Sequence, residues 1–238
     1  MRFSSTVLAL ALSAISSLAL ADGVVNGGFE AGLNGWSVFG TAASLNSPVA
    51  TEGSRLALVK ALDGGNYNAS DLQSFIGVFG DALRPQPTGL DTFTTGSAIS
   101  QSFNAKKGDL VSFDWRFATK ELLPLSADFS FVVLNGKTTI LADSNSNTAL
   151  NTTFPDYEAA SAWSRMTLVA DHDGVNTVSF GVMQTADTIA GSGLVLDKFE
   201  VNPGSTAPVP EPETYAMMLA GLGLVGFAAR RKNAIRLV

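Results

Sequence analysis

The chain has 238 residues and no cysteine, with 46% hydrophobic and 15% charged residues. That length suits one sizeable core, and the missing thiols exclude a disulfide framework, thiolate metal sites and a cysteine nucleophile. With the two end segments set aside, the body keeps 19 acids against 10 bases, which argues against nucleic acid or anionic lipid as a partner.

The first 21 residues carry Arg2, an apolar run from Val7 to Leu20 and a small-x-small site at Ala19-Leu20-Ala21. A basic start, a short apolar stretch and that site describe a secretory signal peptide, so the mature chain is expected to begin at Asp22. The body, residues 22–203, then reads with a period of two. Arg55 to Lys60 and Ala98 to Phe103 are the first clear strands. Val111, Phe113, Trp115 and Phe117 alternate with Ser112, Asp114 and Arg116, a strand with one buried face. Phe129, Phe131 and Val133 alternate likewise before Asn135-Gly136, a hairpin signal, and Thr138 to Leu141 returns. Arg165 to Ala170 and Val175 to Met183 flank Asp171-His172-Asp173-Gly174, and Leu194 to Val201 is the last strand. About nine short strands with Gly, Asn and Asp turns predict an all-β, antiparallel, jelly-roll-like β-sandwich.

One segment departs from that period. Leu72, Phe75, Ile76, Phe79 and Leu83 fall at helical spacing, with Ser70 and Asp71 where an N-cap belongs. A short helix over Ser70 to Leu83 is expected, inside an insertion from Asp63 to Gly96 and packed on the sandwich.

Residues 204–209 read as a Pro-rich linker before the C-terminal segment 210–238. From Tyr215 to Ala229 no residue is charged, and Arg230, Arg231 and Lys232 follow at once, opening a basic tail over 230–238. As a helix, 215–229 reaches only about 22 Å, short of the roughly 30 Å hydrocarbon core. It is a marginal transmembrane helix whose basic end suits the cytoplasmic side of the inner membrane. Gly221, Gly223 and Gly226 spell a dinucleotide-like G-x-G-x-x-G inside this apolar span, where glycines serve helix packing and imply no nucleotide site.

Pro210, Glu211 and Pro212, then the Gly-rich apolar helix, then Arg230 and Arg231, resemble the PEP-CTERM sorting signal of Gram-negative bacteria. The resemblance implies recognition by an exosortase-type membrane enzyme, a transient inner-membrane intermediate, and a final place at the cell surface or in the extracellular matrix with exopolysaccharide. The start of the body, VVNGGFEAGLNGWSVFG, with Thr51-Glu52-Gly53-Ser54 and Leu196-Asp197-Lys198-Phe199 further on, resembles jelly-roll carbohydrate-binding modules. That second resemblance implies a sugar-associated sandwich, and a structural calcium on Glu30, Glu52 and Asp197, carboxylates suited to a cation that prefers hard oxygens.

For sugar stacking, Tyr67, Tyr157 and Trp163 are the candidates, as rings in loops or at a strand start, whereas Trp36 and Trp115 are expected in the core. The only histidine, His172, sits in a turn, and no G-x-S-x-G elbow accompanies it. No catalytic set is therefore expected. The expectation is a non-catalytic, sorted module associated with extracellular polysaccharide; the alternatives are a structural or adhesion protein without glycan recognition and, third, a polysaccharide-active enzyme.

Overall fold

A computed structural model describes residues 23–61, 67–83, 93–121, 128–145, 149–150, 154, 156–185 and 190–204, and in the tail Met217, Leu219, Ala220 and Leu222. The chain divides into two compact units, Met1–Asn202 and Pro203–Val238. In the second unit the four described residues are helical, and most of the expected span at 215–229 lies outside the described residues. No helix among the described residues is long and apolar enough to cross a membrane. The expected signal peptide at 1–21 also lies outside them.

In chain order the strands are β1 (Ser37–Phe39), β2 (Thr41–Asn46), β3 (Arg55–Lys60), β4 (Phe93–Ala105), β5 (Leu110–Thr119) and β6 (Phe129–Leu134). They continue with β7 (Lys137–Asp143), β8 (Ala149–Leu150), β9 (Ala159–Ala160), β10 (Ser164–Val169), β11 (Gly174–Thr185) and β12 (Ser192–Asn202). Every pairing is antiparallel. One sheet runs β1-β4-β11-β6-β7; the other runs β2-β3-β12-β5-β9-β8, with β10 also against β5. An all-β antiparallel sandwich with one short helix is therefore the observed architecture.

The sandwich core is aromatic. Trp36 packs on Phe29 at 5.3 Å, Phe199 at 5.4 Å and Phe180 at 5.9 Å between ring centroids, and Phe113 meets Phe180 at 4.7 Å. Trp36 and Trp115 are both buried, as their neighbours in sequence suggest. Each such ring contributes about 1.5–3 kcal/mol through burial, plus a geometric bonus for tilted contacts.

Two expectations need correction. The helix, α1, spans Ala69–Ile76, not Ser70 to Leu83. Its N-cap is Asn68, whose side chain accepts from Ser70 N at 2.9 Å, because a cap must precede the first helical turn. It stops at Gly77, left-handed at φ 71°, with its N–H returned to Gln73 O; Leu83 is reached through a 3-10 turn at Gly80–Ala82. Secondly, the described residues hold twelve strands where about nine were expected. β4 begins at Phe93, inside the supposed insertion, and the two-residue strands are too short to show any period.

Part of each outer sheet face is covered. Leu72, Ile76, Val78 and Leu83 pack on Ala98, Phe131, Val133 and Met183 of the first sheet. Phe154, Tyr157 and Ala160 cross the second sheet against Leu56, Leu58, Ala118 and Val195, with Trp163 packed alongside.

Candidate functional site

Asn26 organises the first loop. Its side-chain N–H groups donate to Gly32 O at 3.0 Å and Asn34 O at 3.1 Å, while its oxygen accepts from Ala31 N at 3.0 Å. Gly27 lies against β12, where its O accepts from Phe199 N at 3.1 Å, and a Cβ there would stand 1.9 Å from Phe199 O. Only glycine permits that approach. The turn buries Phe29 and delivers Glu30 to the loop before β3.

Glu30 Oε1 accepts from the N–H groups of Ser54 and Arg55, both at 2.8 Å, and Oε2 accepts from Ser54 Oγ at 3.0 Å. These bonds, the one from Ser54 N first, hold its carboxyl below the ordinary value. Asp197 grips the same loop from β12. Its Oδ2 accepts from Thr51 N at 2.6 Å, Glu52 N at 2.9 Å and Thr51 Oγ1 at 3.2 Å, and its Oδ1 from Lys198 N at 2.7 Å. Burial raises the Asp197 carboxyl above its ordinary value, opposed by those donors. Gly53 sits between, at φ 62°, where a Cβ would meet Glu30 Oε1 at 2.4 Å.

The three acids expected to share a calcium thus all belong to one loop and its clamps. All four oxygens of Glu30 and Asp197 already accept from N–H or O–H donors, and among the described residues no three acids or histidines close into a ligand group. Backbone dipoles compensate these charges instead.

The aromatic candidates are not brought together. Tyr157 is only 5% exposed, its ring laid over Gly193, where a Cβ would stand 2.5 Å from the Tyr157 hydroxyl. Trp163 is half-buried beside the same cover, and its Nε1 is buried without a hydrogen-bond partner. Tyr67 is 39% exposed and lies at the opposite sheet, edge-on to Phe39 at 5.8 Å. Phe39 in turn packs on Phe75 at 5.7 Å, so Tyr67 is an exposed ring on a rigid aromatic base.

His172 belongs to a knot of turns. Its Nδ1 lies 2.8 Å from Asp171 Oδ1 and its Nε2 3.0 Å from Val175 O, two acceptors that the imidazolium satisfies together. Its pKa is raised, first by Asp171. Asn135 Nδ2 donates to Asp171 Oδ1 and Asn176 Oδ1, both at 2.7 Å, and Lys137 Nζ reaches Asp171 Oδ2 at 2.8 Å. Asp171 is held well below the usual carboxylate range, chiefly by Lys137. Among the described residues no serine is bonded to His172, and its partners are those of a turn staple.

A buried polar set escaped sequence reasoning. Thr119, Glu121, Asp128, Ser130, Gln184 and Ser192 are all at most 8% exposed. Ser, Thr and Asp beside turns read as loop residues, so composition gives no signal for them.

Residues 208–232 match the PEP-CTERM protein-sorting motif, and this covers the expected Pro210, Glu211, Pro212, Arg230 and Arg231, which lie outside the described residues. No curated protein sequence matches the chain. Among solved structures, the body is similar to TmCBM61, crystallised with β-1,4-galactotriose: 13% identical over 75% of this chain and 95% of that one, TM-score 0.40. It is also similar to a family 16 carbohydrate-binding module, 11% identical over 75% and 98%, TM-score 0.37. A third similarity is to the K1 cleaved adhesin domain of Lys-gingipain from Porphyromonas gingivalis W83, 11% identical over 75% and 96%, TM-score 0.40. The chain thus carries a PEP-CTERM sorting motif behind a β-sandwich body, and the motif marks it as an exported protein sorted to the cell surface.

Proposed function

We propose that the processed protein is a non-catalytic module of the cell surface or extracellular matrix, associated with the exopolysaccharide of its Gram-negative producer. The sorting motif at 208–232 supports this reading, because a protein sorted to the cell surface would meet polymers exported there. An exosortase-type enzyme would act while the apolar helix is held in the inner membrane. Tyr67 on its Phe39 base supports sugar contact, since an exposed rigid ring offers a stacking surface at little entropic cost. Co-sedimentation of the purified protein with the producer's own polysaccharide tests it. Retention is expected and should fall several-fold in Tyr67→Ala; no retention on any polysaccharide removes the glycan reading. Reducing ends released during the incubation would overturn the non-catalytic reading.

A second reading, a structural or adhesion protein without glycan recognition, is favoured by one observation. Part of each broad sheet face is covered, by α1 and by the segment from Phe154 to Trp163, and among the described residues no flat aromatic platform stands there. Surface localisation without retention on polysaccharide selects it.

A further inference from the structure

The second sheet treats two outward arginines differently. Val195 belongs to the outer cluster with Leu56, Leu58 and Ala118, and it pairs with Arg116, so Arg116 and Asp114 share that outer face of β5. Arg165 lies opposite Asp114 on β10. Its Nη1 donates to Asp114 Oδ1 at 2.8 Å and its Nη2 donates to Glu200, so carboxylates fill both terminal nitrogens. Arg116, one pair further along the same face, has no such partner.

Arg116 is nevertheless held in place. Its Nε donates to Ser161 O at 2.8 Å, and its guanidinium lies over the Phe154 ring, 5.6 Å from the centroid. Among the described residues neither terminal nitrogen has an acceptor, and neither is sealed from water. Burial alone lowers its pKa. The facing chain gives way at the same place. Ala160 pairs with Ala118 and Ser164 with Trp115, four steps of one chain against three of the other. Ser161 bonds to Phe117, so Ala162 and Trp163 share the position across from Arg116. An extra residue of this kind re-aims side chains and is frequent beside binding sites.

A carboxylate matches the fork of an arginine, because it can take both terminal N–H groups at once. A bound carboxylate would supply to Arg116 what Asp114 and Glu200 supply to Arg165. The strands of this sheet hold three acids, and all are engaged: Asp114 and Glu200 by Arg165, Asp197 by the backbone at Thr51 and Glu52. Further along the face, Lys60, Lys120, Asp156 and Tyr157 line a cavity of about 80 Å³, where Lys60 meets Asp156 at 3.2 Å. Two bases and one acid thus stand around that cavity. A body with 19 acids and 10 bases does not draw a polyanion from a distance. The anion must be recognised at contact, which suits a shape-matched, pinned fork.

We propose that this outer face of the second sheet is a recognition site for carboxylate-bearing glycans, with the Arg116 guanidinium taking a sugar carboxylate and the lysines of the cavity as a second point of attraction. This site presupposes the glycan association proposed above and narrows it to uronic acids and pyruvylated sugars rather than neutral hexoses. It is separate from stacking on Tyr67, which lies at the opposite sheet.

Titration calorimetry of the purified protein with polygalacturonate, and with the same polymer after reduction of its carboxyls to alcohols, tests it. Polygalacturonate should bind about ten-fold more tightly than the reduced polymer. Arg116→Gln should weaken polygalacturonate binding about ten-fold, and Arg116→Lys several-fold, because an ammonium keeps the charge and loses the fork. Lys137→Gln, which removes an equal charge from the knot of turns, should leave the affinity unchanged. Thermal unfolding of each variant checks that the folds compared are the same, and the reduced polymer decides the matter on the native protein if Arg116→Gln does not fold. Equal affinity for the two polymers overturns the carboxylate site and leaves glycan association standing. So does binding to neither of them by a protein that retains the producer's own polysaccharide. Binding to no polysaccharide at all removes both readings. Unchanged affinity in Arg116→Gln, or an equal loss in Lys137→Gln, also overturns the site.

Discussion

The two ends of the sandwich use much the same residue types for opposite purposes. At one end Asn135, Asp171, His172 and Asn176 join the turn before β7 to the turn before β11, and Lys107 N–H donates to Asp173 Oδ1 at 2.7 Å to bring in a third turn. Most of that knot meets water. At the other end Asp128, Ser192 and Thr119 make a comparable chain of bonds with no measurable exposure. Solvent makes the difference: a broken bond in the knot is replaced by one to water, whereas a broken bond between the sheets leaves an orphan. The knot is tolerant, and the buried end is not.

The sharpest way to break that comparison is Asp128→Ala. It removes an acceptor of Thr185 N–H and of Ser192 Oγ inside the sandwich and should cost about 3–5 kcal/mol, read from urea unfolding; a loss below about 1 kcal/mol would place this end with the solvated one. Asn135→Ala should cost less, about 1–2 kcal/mol, although it removes bonds to Asp171, Asn176 and Thr177 and a residue at φ 52° that asparagine tolerates better than alanine.

The loop clamps sharpen the same contrast through pH. Glu30 is exposed and its pKa is lowered on folding, so its contribution is present above its ordinary value of 4.5 and lost as pH falls through the lowered one. Asp197 is buried and its pKa is raised, so ionising it between 3.8 and the raised value reduces stability as pH rises. Glu30→Gln and Asp197→Asn should therefore tilt the acid limb of the stability–pH curve in opposite directions; equal tilts would show that burial does not separate the two carboxylates.

His172 should give the smallest effect. Its pKa is raised by Asp171 and Val175, so its stabilisation is complete below 6.5 and fades as pH climbs through the raised value. Chemical unfolding from pH 6 to 9 should show a slight decline that His172→Gln removes.

Much of the sandwich was legible in the sequence because long strands with one buried face cannot hide their alternation. Arg55 to Lys60 matches β3 end to end, and the hairpin at Asn135-Gly136 stands where turn chemistry puts it; the turn at Asp171 to Gly174 joins no hairpin but carries the chain from β10 in the second sheet to β11 in the first. The cover over the second sheet was not legible. Its strands are two residues long, and Tyr157 reads as a loop aromatic until Gly193 opposite is seen to make room for it. Glu30, Glu52 and Asp197 were legible as a group drawn to one place, but not as acceptors for a loop, because backbone N–H groups leave no trace in side-chain spacing. The polar interior was least legible, since Ser and Thr at strand ends look alike whether they face water or another sheet.

The bond from Phe199 N–H to Gly27 O means that the body begins and ends at the same place. Three residues past Phe199, Asn202 leaves the sheet beside Leu110, and the chain continues toward the sorting motif. A pull on the tail would be felt first along β12, at the seam with Gly27 and β5, and would pass only afterwards into the aromatic interior. A tension carried by the tail would load the pairs of Asn202, Val201 and Glu200 with β5 and then the Gly27–Phe199 seam, so the chain's first turn shares the strain of its last strand.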